Sequence, residues 1–167
     1  MAAPKFLQNV AGKIKEVIAS VTSTANSIVA TDSTGKIDPS FLPPGVGAEI
    51  ILATASESIA AGAFVNVYNN AGVISVRNAD ATTNGKPAHG FVLAAFTTGN
   101  SVSVYLPSQT NTQQTGLTLG AEYYLAATPG AITVTAPSAT GNIVQRIGIA
   151  DKTTEIVFVP YTTIEIA

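Results

Sequence analysis

The sequence predicts a mainly β protein: an N-terminal amphipathic helix and an extended arm, followed by a β-sandwich or barrel built from two repeated units. Three observations carry this reading. Apolar residues near the N-terminus recur at helical spacing, a Pro/Gly-rich stretch interrupts the chain at residues 33–47, and everything beyond it alternates with period two between closely spaced turn signals. The expected organisation is therefore a helix over 1–32, an arm over 33–47 and a β-domain over 48–167.

The helix rests on Leu7, Val10, Ile14, Val17, Val21, Thr24 and Ile28, which follow one another at alternating spacings of three and four. Pro4 suits a first helical turn, and Gly35 follows the point where the pattern fades. β-branched residues at both seam positions favour three or more strands over two, so a homotrimer is the expected assembly. The same stripe would equally serve to pack the helix on its own β-domain.

The arm reads Ser33-Thr-Gly-Lys-Ile-Asp-Pro-Ser-Phe-Leu-Pro-Pro-Gly-Val-Gly47. Its prolines and glycines exclude a helix and interrupt a strand. Ile37, Phe41, Leu42 and Val46 are nevertheless too apolar for a spacer, which makes the arm a contact segment. Its partner is open: a shell, a sister subunit or its own domain.

Beyond the arm, expected strands are 49–53, 63–68, 73–77, 88–96, 101–106, 122–127, 131–135, 143–150, 155–159 and 162–166. Hairpin turns fall at Asn69-Asn70-Ala71-Gly72 and Thr128-Pro129-Gly130. Sliding the chain by 58 residues superposes Gly62-Ala63 on Gly120-Ala121, and Gly72, Ile74 and Val76 on Gly130, Ile132 and Val134. It also superposes Ala81-Thr82 on Ala139-Thr140, Asn84 on Asn142, and Gly90 on Gly148. Two copies of one unit, about 62–107 and 120–160, are too few for a solenoid, so they are expected to pack together into one sandwich or barrel with approximate twofold symmetry.

Composition narrows the function. Charged residues make up only 11% of the chain, against about 25% in ordinary soluble domains. The surface is thus largely Thr, Ser, Asn and Gln, as suits a β-rich protein in a large assembly. Lys5, Lys13 and Lys15 make residues 1–20 basic within a chain of net charge −2. Three lysines are too few for nucleic-acid or membrane-surface binding. No stretch approaches the roughly 20 apolar residues of a membrane span, and Lys13, Lys15 and Glu16 interrupt any secretory signal core. With no cysteine, neither disulfides nor thiolate metal sites can form.

Residues for chemistry are sparse, and we expect no catalytic, cofactor-binding or metal-binding residues. His89 is the sole histidine. It aligns with Ile147 in the repeat, which points to packing. Asp32, Asp38, Asp80 and Asp151 each lie beside turn residues, where carboxylates bond local backbone, and no two glutamates pair for acid–base work. Asp32-Ser33-Thr34-Gly35 lacks the remaining ligands of a calcium loop, and Gly45-Val46-Gly47 lacks the rest of a dinucleotide fingerprint. Tyr123 and Tyr124 are expected on opposite faces of a strand, one in the core and one outside.

The segment 34–47, the run Ala60-Ala61-Gly62-Ala63-Phe64-Val65-Asn66-Val67, and the later runs Leu119–Leu125, Pro129–Thr133 and Val144–Ala150 together resemble small structural proteins of tailed bacteriophage virions. The resemblance covers most of residues 33–160. It implies a capsid decoration (cement) protein that binds the major capsid protein and stabilises the head. The alternative is a head-fibre, tail-fibre or neck component used in host attachment. It also implies a location on the virion's capsid surface after synthesis in the host cytoplasm, and no enzymatic activity or cofactor. Candidate capsid or subunit contacts are Leu7, Val10, Ile14, Val17, Val21, Ile37, Phe41 and Leu42.

Overall fold

A computed structural model describes residues 5–10, 13–20, 28–31, 33, 35–37, 49–82 and 86–167. The chain divides into two compact units, Met1–Gly47 and Ala48–Ala167.

The first unit departs from expectation. Where a helix is expected from about Pro4, the described residues are strands: β1 (Lys5–Val10), β2 (Lys13–Ser20) and β3 (Ile28–Val29). β1 pairs antiparallel with β2, from Lys5↔Ile18 to Val10↔Lys13, and β2 pairs in parallel with β3. Two features of the sequence oppose the helix. Gly12 would fall inside it, at about 1 kcal/mol relative to alanine. Val10, Ile14, Val17 and Ile18 are β-branched and lose rotamer freedom in a helix while suiting a strand. The part of the expected helix at 21–27 lies outside the described residues.

The second unit is all β among its described residues. Its strands are β4 (Ile50–Ala55), β5 (Phe64–Asn70), β6 (Val73–Asn78), β7 (Gly90–Phe91), β8 (Ser101–Tyr105), β9 (Thr110–Asn111), β10 (Glu122–Leu125), β11 (Ile132–Thr133), β12 (Ile143–Val144), β13 (Arg146–Lys152), β14 (Glu155–Phe158) and β15 (Ile164–Glu165). Strands β4-β6-β5-β7-β8 close into a barrel, β11-β10-β13-β14-β9 form an open sheet, and β12 pairs with β15. The expected strand at 88–96 is reduced to β7 and one isolated bridge, Ile59↔Phe96, and the sequence reading missed β9.

Barrel and sheet share one plan. The 58-residue offset takes β6, β5, β7 and β4 onto β11, β10, β13 and β9; β8 and β14 fall out of that register but hold the same place, so β6-β5-β7-β8-β4 and β11-β10-β13-β14-β9 have the same order of neighbours. Phe64↔Phe91 and Val65↔Gly90 in the first repeat become Glu122↔Ile149 and Tyr123↔Gly148 in the second. Backbone bonds follow too. Gly62 N–H to Val92 C=O, Ala63 N–H to Ala60 C=O and Val92 N–H to Ala63 C=O recur as Gly120 to Ala150, Ala121 to Thr118 and Ala150 to Ala121. Gly90 and Gly148 are the pivot. A Cβ on Gly90 would stand 2.5 Å from the Tyr105 carbonyl oxygen, and one on Gly148 would collide with the Val157 carbonyl. Only glycine lets the next strand cross so closely.

Two cores result. The barrel interior holds Ala53, Ala55, Ile59, Ala63, Val65, Val76, Val92, Val102 and Val104; a five-stranded barrel is narrow and admits small side chains. The aromatic core instead gathers residues of both repeats. Phe158 lies 5.5 Å from Phe64 and 6.0 Å, edge-on, from Phe91, a favoured aromatic geometry. Buried amides tie the repeats together. Gln145 accepts from the Ala88 N–H (2.7 Å) and donates to the Ala88 carbonyl (2.9 Å), while Asn111 donates to the Gly62 carbonyl (2.9 Å).

Candidate interaction surface

The mouth of the barrel is a mainly apolar opening on the second unit. Ile51, Val67 and Ile74 line it with Tyr68, Asn69 and Gly72 around a hollow of about 350 Å³, and none of these residues is charged. Its walls come from β4, β5 and β6. β5 and β6 are joined by the hairpin turn at Ala71-Gly72, where both residues have positive φ (51° and 90°) and Asn69 Oδ1 accepts from the Gly72 N–H at 2.7 Å. That conformation is the tight I′ turn expected from the Asn-Asn-Ala-Gly sequence.

Ile74 is exposed at the mouth, and further apolar side chains are exposed on the outer face of the strands that form it: Ile50 and Leu52 opposite Ile51 and Ala53 on β4, and Val73 opposite Ile74 on β6. Leu52 is 65% exposed, Ile74 56% and Val73 53%, with Ile50 close behind. β4 pairs with β8 along Ile50–Thr54 but with β6 only at Thr54 and Ala55. Patches of this kind mark contact surfaces in soluble proteins. Beside it, the Arg77 guanidinium stacks 4.3 Å over the Tyr68 ring, and Arg77 Nε donates to Asn66 Oδ1 at 3.0 Å.

The residues singled out for chemistry take structural places. His89 is exposed rather than packed in the core, unlike its repeat partner Ile147, which is buried. This corrects the expectation of packing: the ring leans on the β5 edge, with Nδ1 3.2 Å from the Val67 nitrogen and 3.1 Å from its carbonyl oxygen. Asp80 is buried and accepts from the Thr82 N–H (3.0 Å), the Thr82 hydroxyl and Lys86 Nζ (3.0 Å). Burial alone would raise its pKa, but the hydrogen bonds from Thr82 and Lys86 outweigh this and hold the carboxyl below its ordinary value. Tyr123 is buried, its hydroxyl accepting from the Thr118 N–H at 2.8 Å, whereas Tyr124 is half-buried beside Glu122. Among the described residues, no three His, Asp or Glu side chains cluster to hold a metal ion, and no helix is long and apolar enough to cross a membrane.

The candidate contacts of the N-terminal region fall apart as a single stripe. Leu7 and Val10 lie in β1, Ile14 and Val17 in β2. From the register Leu7↔Glu16 and Asn9↔Ile14, against Phe6↔Val17 and Val10↔Lys13, the Leu7 and Ile14 positions share one face of the hairpin and the Val10 and Val17 positions share the other. Ile37 is exposed; Val21, Phe41 and Leu42 lie outside the described residues. The sequence reading missed the barrel-mouth cluster. Its signal was there: Ile50-Ile51-Leu52 and Val73-Ile74 are unbroken apolar runs, whereas a half-buried strand alternates.

No protein-family model, curated protein or solved structure matches this chain.

Proposed function

We propose that this chain is a structural component of a virion, a decoration protein that binds the shell formed by a major capsid protein. The observation that supports it best is the uncharged, apolar barrel mouth with Ile74 exposed at it and Leu52 and Val73 exposed on the outer faces of the adjoining strands, on a chain with few charges anywhere. Such a surface gains free energy when covered, at about 25 cal/mol for each Å² of apolar area removed from water. On a shell it would add contacts that expansion of the shell must break, which is how a cement stabilises. The capsid surface is then its location.

The homotrimer expected from the helical seam is not carried forward, since that seam is a β-hairpin in the described residues. The test uses the full chain with Leu52→Glu and Ile74→Glu. Purified capsids of the encoding phage should retain the unaltered protein on co-sedimentation and release the double variant, whose far-UV circular dichroism is unchanged. Equal retention of both overturns the assignment of the mouth. Electron microscopy of the particle tests the reading as a whole: copies distributed over the shell support decoration, and a few copies at one vertex favour the fibre or neck alternative.

A further inference from the structure

The two repeats differ at one place that exposes a strand edge. In the first, β4 lies in parallel beside β6, and the Ser56 N–H donates to the Val76 carbonyl at 2.9 Å, sealing the barrel. The equivalent residues in the second repeat are Gln114 and Val134. Gln114 turns elsewhere: its N–H donates to the Thr154 carbonyl at 3.2 Å, and its side-chain Nε2 donates to the Gly62 carbonyl at 2.7 Å. The strand that would close a second barrel is thus held against the first repeat. β11 ends the sheet, and a groove of about 460 Å³ opens alongside it, lined by Gln114, Leu117, Tyr123, Ile132 and Val134 among others.

The backbone groups at this edge can be assigned. The Leu125 N–H donates to the Gln145 carbonyl and the Ala126 N–H to the Ala131 carbonyl, so β10 residues address its two neighbours in turn. Tyr124, paired with Thr133, therefore turns its backbone toward β11. Ile132 turns its own outward to the open edge, and Val134, two residues on, lies just past the end of the strand. In the first repeat, the position of Val134 is that of Val76, whose carbonyl is the one sealed.

Charge decides which occupant fits. Residues 123–145, which contain the edge and both its flanks, include no Asp, Glu, Lys, Arg or His. Natural edges are guarded against pairing by lysines and other charges, and this one carries none. A contact about a two-fold axis sets a surface against itself, so any charge would meet its like; an uncharged stretch meets that condition.

We propose that the open edge of β11 pairs antiparallel with the same edge of a second copy of this chain, about a two-fold axis at Thr133. Ile132 of each copy then exchanges both backbone hydrogen bonds with Val134 of the other. The two Thr133 residues face each other as a non-hydrogen-bonded pair, with Cα atoms about 4.5 Å apart, within reach of a disulfide.

Because the chain has no cysteine, Thr133→Cys introduces a single thiol. On mild oxidation this full-length variant should become a covalent dimer, and much faster than a Ser138→Cys control on the same exposed surface. Sedimentation equilibrium should give twice the chain mass for the unaltered protein and the single-chain mass for Val134→Lys and for Ile132→Pro. Cooperative thermal melts show that each remains folded; if either variant fails to fold, the oxidation comparison decides. A single-chain mass for the unaltered protein, a dimer untouched by Val134→Lys, or Thr133→Cys cross-linking no faster than the control overturns the proposal. Capsid binding plays no part in these measurements, so they stand apart from the decoration reading.

Discussion

The two repeats of the second unit use one strand order and reach different ends. The first closes into a barrel filled by alanine and valine; the second stays open, and its strands cover the aromatic core. Pairing register survives the divergence at Gly90 and Gly148, but the side chains opposite do not: Phe64 becomes Glu122 and Val65 becomes Tyr123. The two repeats therefore agree at the backbone crossing, where a Cβ cannot fit, and differ at the positions that merely fill space.

The sharpest way to break this comparison is through the core the repeats share. Phe158→Ala should cost about 3–5 kcal/mol and Val104→Ala, inside the barrel, roughly 2 kcal/mol. Urea unfolding monitored by tyrosine fluorescence would check this, and equal losses would mean that the aromatic core is not the junction it looks to be. Gly148→Ala should cost about 3 kcal/mol, and at least as much as Gly90→Ala, because its new Cβ runs into a backbone carbonyl that has nowhere to go. Calorimetry on both variants would test the ranking.

A smaller effect isolates the clamp between repeats. Gln145→Ala should destabilise by about 2 kcal/mol, since the buried Ala88 N–H and carbonyl lose both their partners. Asp80, whose repeat partner is Ser138, supplies a pH test confined to the first repeat. Its carboxyl titrates below the ordinary value when folded, so its stabilisation is complete above the unfolded-state pKa and fades as pH falls through the lower folded value. The melting temperature should therefore drop on acidification below about pH 4, and Asp80→Asn should flatten that limb. Least of all, Ala71→Asn should raise stability by about 0.5 kcal/mol, because asparagine accepts the positive φ that strains alanine in this turn. A small upward shift of the melting temperature would confirm it.

Much of the second unit was legible in the sequence because its signals are local. Gly72 and Gly130 marked turns, alternation marked β5, β6 and β8, and the offset that aligned nine identities also aligned Gly62 with Gly120 and Gly90 with Gly148. The misreadings share a cause. A 3-4 apolar spacing over Leu7–Ile28 fits a helix as a pattern, but it does not register that Gly12 interrupts it or that its β-branched residues suit strands. β9 is two residues long and carries no periodicity. The apolar run Ile50-Ile51-Leu52 was visible, yet an unbroken apolar run reads as burial, and only the tertiary fold leaves the outer face of β4, with Ile50 and Leu52, uncovered.

By itself, then, the sequence determined that the chain is mainly β, where its hairpins turn, that residues 62–92 and 120–150 are related, and that a single histidine and no cysteine serve the whole chain. These follow from turn chemistry, strand periodicity and composition, all of which act within a few residues or can be counted. The tertiary structure decided which repeat closes. That choice rests on Gln114, which bonds to Thr154 and Gly62 rather than to Val134, partners 40 and 52 positions away that no local pattern could name.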